Sequence, residues 1–110
     1  MNEVQLYALA LLTEECGETL QTIGKAGRFG IDTPGVKHPY TGIVDMTITP
    51  RTELTKELGD LMAAIDYAAA AGIIDPVAVH DRRIAKICKL RDPSSVDNLG
   101  RRLAPSPAKD

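Results

Sequence analysis

The sequence contains no tryptophan and one phenylalanine, Phe29, which with Tyr7, Tyr40 and Tyr67 makes up all its aromatic residues. Surfaces on which a flat ligand could stack are therefore scarce. Cysteine is almost as rare. Cys16 and Cys88 lie far apart, and no Cys-x-x-Cys pairing of the metal-binding kind occurs. Both fall in helix-like segments and read as small buried thiols, which suits a reducing compartment. Neither sign of charge is in large excess: 13 basic against 15 acidic side chains leave a net charge of −2. That balance argues against nucleic acid or an anionic membrane as a bulk electrostatic partner. Long apolar runs are also missing. The opening MNEVQLYALALLTEECGE has no basic n-region and is broken by acids, so it reads as neither a signal peptide nor a membrane span. The expected location is cytoplasmic.

What remains is ordinary globular composition. The chain has 110 residues, 44% hydrophobic and 25% charged, enough for one small domain with a modest core. So small a domain buries a limited share of its surface, and oligomerisation would help it. Val4, Ala8, Leu11, Leu12, Cys16, Leu20 and Ile23 recur at helical spacing and predict a helix from about Asn2 to about Gly27. Gly24, Gly27 and Gly30 weaken and end it. Residues 28–49, with Pro34, Gly35, Pro39 and Gly42, exclude a regular helix and form a long loop, with a short strand or hairpin arm between Ile43 and Ile48. Loops of this length in compact domains tend to be functional lids or disordered segments.

Thr49-Pro50 opens a second helix, with Thr at the N-cap and Pro at the first helical position. Leu54, Leu58, Leu61 and Ile65 form its stripe, and Gly72 stops it. Asp75-Pro76 repeats the same start for a third helix, which Asp92-Pro93 ends. The expectation is an all-α helical bundle: a domain over residues 1–92, completed by pooling helices in an oligomer, and a mobile tail over 93–110 with one short helical turn near Val96–Leu103.

The acids of this framework are oddly placed. Glu15 and Glu18 are three apart and continue the Leu11 stripe by the i, i+4, i+7 rule. Glu57 and Asp60 repeat the spacing on the second helix, beside Leu54, Leu58 and Leu61. Either pair alone also reads as the solvated face of an amphipathic helix. Two like-charged pairs at a core edge repel and are costly to desolvate, unless they surround a cation. An oxygen-only cluster suits a hard ion, Mg²⁺ or Mn²⁺. A di-iron centre built on Glu-x-x-His is disfavoured, because neither His38 nor His80 has a Glu three residues before it. On the third helix Arg82, Lys86 and Lys89 form a cationic line, extended by Arg83 and Arg91. It is either a solubilising face or a phosphate-binding one. Lys25 and Arg28, beside the loop, are further phosphate candidates.

These motifs together resemble the all-α nucleoside triphosphate pyrophosphohydrolases of the MazG type. The similarity lies in EExxE (Glu14, Glu15, Glu18) followed after a loop by ExxD (Glu57, Asp60), in the contexts LTEECGE, IGKAGRFG and ELGDLMAAIDYA, and in the basic helix that follows. It covers roughly residues 5–91. The resemblance implies Mg²⁺-dependent hydrolysis of a nucleoside triphosphate between its α- and β-phosphates, giving a monophosphate and pyrophosphate, with Mn²⁺ able to replace Mg²⁺. It implies that Glu15, Glu18, Glu57 and Asp60 bind the metal and that Glu14 lies outside it or orients water. It further implies that Lys86 contacts phosphate, assisted by Lys89 or Arg91, and that protomers form homodimers or homotetramers. Base stacking, usual in several members, would fall to Phe29, His38 or Tyr40. The long loop leaves base identity open. Two alternatives stand beside this one: a related enzyme acting on phosphoribosyl-ATP, dUTP or dCTP, and a non-catalytic helical binding dimer with a vestigial metal site.

Overall fold

A computed structural model of the protein describes residues 1–37, 40–92 and 94. It is built on three helices: α1 (Glu3–Phe29), α2 (Pro50–Ala70) and α3 (Pro76–Arg91). The loop between the first two carries a two-stranded antiparallel ladder, β1 (Val36–Lys37) and β2 (Val44–Asp45), in which Val36 faces Asp45 and Lys37 faces Val44. The strand expected between Ile43 and Ile48 is β2. The chain falls into two compact units, Met1–Ile74 and Asp75–Asp110. Among the described residues, no helix is long and apolar enough to cross a membrane. The expected helical turn near Val96–Leu103 lies outside the described residues.

The helix starts follow from local chemistry. Asn2 accepts from the Gln5 amide at 2.9 Å while its own amide donates to Gln5 Oε1, a reciprocal cap. Thr49 and Thr52 make the same exchange at the head of α2, with Pro50 at the first position. Asp75 Oδ1 accepts from the amides of Val77 and Ala78, again with Pro at the first position. α1 and α2 stop at glycines with positive φ, Gly30 at 92° and Gly72 at 78°, and α3 stops at Asp92 in extended backbone. Gly24 and Gly27 do not end α1, which runs on to Phe29.

In the first unit α1 and α2 pack against each other as an antiparallel hairpin. Gln5 Nε2 donates to Ala71 O, Tyr7 and Tyr67 meet edge-on at 5.4 Å, and at the other end Lys25 approaches Glu53 at 4.0 Å. The facing seams alternate by four and three residues, as in coiled coils. On α1 the seam is Ala8, Leu12, Glu15, Thr19 and Thr22; on α2 it is Pro50, Leu54, Glu57, Leu61, Ala64 and Ala68. The fully buried positions are small: Ala8, Ala64 and Ala68, with Thr19 and Thr22 close behind. Both threonine hydroxyls donate back into their own helix, to Glu15 O and Glu18 O, so no buried hydroxyl lacks an acceptor there.

This seam differs from the leucine-rich one expected. Cys16 and Cys88 are exposed rather than buried. Leu20 (68% exposed), Val4 and Ile23 also face away from α2. A single partner helix covers only one stripe of α1, and small residues allow the closer approach, so the larger apolar stripe is left outside.

The loop is tied at its base. Arg51 makes a two-pronged pair with Asp32, at 2.7 and 2.8 Å, and its amide donates to Ile31 O at 2.8 Å. Planar forks of this kind fix orientation as well as distance. The guanidinium holds the Asp32 carboxyl below its ordinary range. Replacing Arg51 by Ala is expected to speed amide hydrogen exchange across residues 31–48 several-fold and to leave α1 and α2 amides unchanged. Equal loosening of the helices would show the pair to be part of the hairpin's support.

Candidate metal centre

Glu15 and Glu57 stand in the two facing seams, where a coiled-coil pattern calls for apolar side chains. Glu18 and Asp60 follow each by one turn. The result is a cluster in which one carboxylate oxygen from each of Glu15, Glu18, Glu57 and Asp60 lies within 4.8 Å of the others, all four half-buried. Two helices and the three-residue spacing suffice to build it. Glu14 stays exposed, outside the four.

The electrostatics are those of crowded acids. The Glu15 carboxyl is pushed above its ordinary value of 4.5, first by desolvation and then by the charges of Asp60, Glu14 and Glu57, with Lys56 opposing. Glu18 is raised as well. The main cause is a carboxyl–carboxyl hydrogen bond with Glu57, which only a protonated acid can make; desolvation and neighbouring charges add to it. With all the acids ionised, Glu15 Oε2 and Glu57 Oε2 are buried and meet no donor. Unpaired buried oxygens of a charged group are costly. A small hard cation within the cluster would offset the crowded charge, and an all-carboxylate donor set with no thiolate or imidazole is the set such ions prefer.

The chain matches no protein-family model, no curated protein and no solved structure. The site therefore rests on its own geometry.

The other sequence candidates divide. Lys25 reaches Glu53 rather than the four acids, and Arg28 lies over the Phe29 ring at 5.4 Å. Phe29 is otherwise exposed, and Tyr40 is 93% exposed on the loop. His38 lies outside the described residues. Lys86, Lys89 and Arg91 are exposed on α3, within the second unit. Sequence reasoning missed Lys56, whose ammonium lies 3.4 Å from Glu57 Oε1 and 3.3 Å from Asp60 Oδ2. The signal was present as a Lys four residues before an Asp, the spacing of a helical ion pair.

Proposed function

We propose that the protein is a Mg²⁺-dependent nucleoside triphosphate pyrophosphohydrolase, which cleaves its substrate between the α- and β-phosphates to a monophosphate and pyrophosphate and so clears or trims a nucleotide pool. The observation that carries this reading is the four-carboxylate cluster set into a helix seam, with two buried oxygens lacking donors. The motif resemblance to the MazG type supplies the reaction.

In this reading Glu15, Glu18, Glu57 and Asp60 hold the ion. When bound, Mg²⁺ supplies neutralising charge to the phosphates and lowers the pKa of water. Glu14, exposed beside Glu15 and outside the ligand set, orients the attacking water or accepts its proton. The cations assigned to phosphate are Lys86, with Lys89 and Arg91, as the motif resemblance implies; all three are exposed on a basic helix. Lys25 and Arg28 are the secondary candidates at the end of α1. Phe29 and Tyr40 are exposed enough to meet a base, although Arg28 covers one face of Phe29. The exposed apolar residues of the hairpin, Leu6, Leu20, Ile23 and Met62 among them, support assembly into a homodimer or homotetramer.

The test is pyrophosphate release from a panel of ribo- and deoxynucleoside triphosphates, with Mg²⁺ and with EDTA, and chromatography of the nucleotide product. Monophosphate and pyrophosphate, formed only with the metal, are the expected products. Orthophosphate and a diphosphate would place the cleavage elsewhere. A folded, cation-binding protein inert to the whole panel would favour a narrow substrate, such as phosphoribosyl-ATP, or a binding role.

A further inference from the structure

We propose that Lys56 is a built-in counter-ion of the carboxylate cluster, which competes with the divalent cation and sets how tightly it binds. The inference rests on the metal-centre reading above and deepens it. Among the described residues, Lys56 is the only lysine or arginine whose nitrogen comes within 4.0 Å of any of the four acids. Its ammonium bridges Glu57 Oε1 and Asp60 Oδ2, the two acids contributed by α2. The other Glu57 oxygen, Oε2, is buried and without a donor. Lys56 thus engages one side of the α2 acids and leaves an inner oxygen for another cation.

The side chain is 69% exposed, so the ammonium sits on a flexible stem at the edge of the cluster and can swing away. A single positive charge offsets only part of the repulsion among four carboxylates. A divalent ion offsets more, but its gain is reduced by the like charge of Lys56 a few ångströms away. Held in this way, the site takes the metal more loosely than the four carboxylates would without Lys56.

The experiment is a Mn²⁺ titration of the full chain without nucleotide, with free Mn²⁺ followed by electron paramagnetic resonance. Wild type is compared with Lys56→Met, Lys56→Gln, Lys56→Arg and Lys25→Met, and folding is checked by circular dichroism. Removing the charge at position 56 should tighten binding by about five- to twentyfold, the range for a screened unit charge beside a divalent ion near a surface. Lys56→Arg keeps the charge, and Lys25→Met removes a charge that lies against Glu53 instead; both should stay close to wild type. Unchanged or weaker binding in Lys56→Met and Lys56→Gln, with a wild type that binds, would overturn the counter-ion role and leave the metal centre standing. Equal tightening in Lys25→Met would reduce the effect to net charge and overturn it too. Failure of every protein to bind Mn²⁺ would remove the metal centre, and the counter-ion role with it.

Discussion

Glu57→Gln is expected to abolish Mg²⁺-dependent turnover while making the metal-free protein more stable. The two effects have one cause. Glu57 occupies a seam position where its Oε2 is buried without a donor, facing the acids of α1. An amide there removes one of four crowded charges and brings hydrogen-bond donors to neighbouring carboxylates. The same change removes a cation ligand. Loss of a group that only supports a ligand typically costs about 10- to 100-fold in affinity or activity, so loss of a ligand should cost more. Glu18→Gln and Asp60→Asn should lose turnover similarly, with the fold intact by circular dichroism. A residue kept for stability behaves in the opposite way, losing fold and activity together. That outcome in all three variants would make the cluster a structural feature and end the enzymatic reading.

The second large effect concerns pH and metal together. Glu15 and Glu18 titrate above their ordinary value of 4.5 in the folded chain. A carboxyl with a raised folded pKa binds protons more tightly folded than unfolded. Its stabilising contribution is therefore complete below about 4.5 and is lost as pH rises through the folded value. The melting temperature of EDTA-treated protein should fall as pH rises above about 4.5 towards neutrality, the reverse of ordinary acid denaturation. Asp32, Asp45 and Asp92 have carboxyls lowered from 3.8. Their contributions are lost only as pH falls below that value, outside this window. Saturating Mg²⁺ at pH 7 should reverse the loss. At a hundred times its dissociation constant, a ligand of the folded state adds about 2.7 kcal/mol, or about 10 °C for a chain of this size. A melting temperature flat across this pH range and indifferent to Mg²⁺ would mean that the acids neither repel strongly nor bind the ion.

Much of this was legible in the sequence, for reasons that are local. Thr49-Pro50 and Asp75-Pro76 mark helix starts because a cap and a missing amide act within three residues. The four acids were legible because helical spacing fixes which side chains share a face. The seam was not. Periodicity marks an apolar stripe without saying which partner covers it, and α1 carries a small-residue stripe as well as a larger apolar one. The hairpin buries the first, through Ala8, Thr19 and Thr22, and leaves Leu20, Ile23 and Cys16 outside. The Asp32–Arg51 clasp spans 19 positions of loop, and no local pattern announces such a pair. Lys56 was legible as a helical ion pair with Asp60, but its bearing on the cluster appears only when α1 brings Glu15 and Glu18 beside α2.

The most direct measurement is the position of a bound ion. Crystals grown or soaked with Mn²⁺, with diffraction recorded at the manganese edge, would locate it by anomalous scattering. A peak in ligating contact with Glu15, Glu18, Glu57 and Asp60 is the expected result. Mn²⁺ bound elsewhere on the protein, with the cluster empty and its carboxyls paired to one another, would contradict the metal centre on which the proposed chemistry depends.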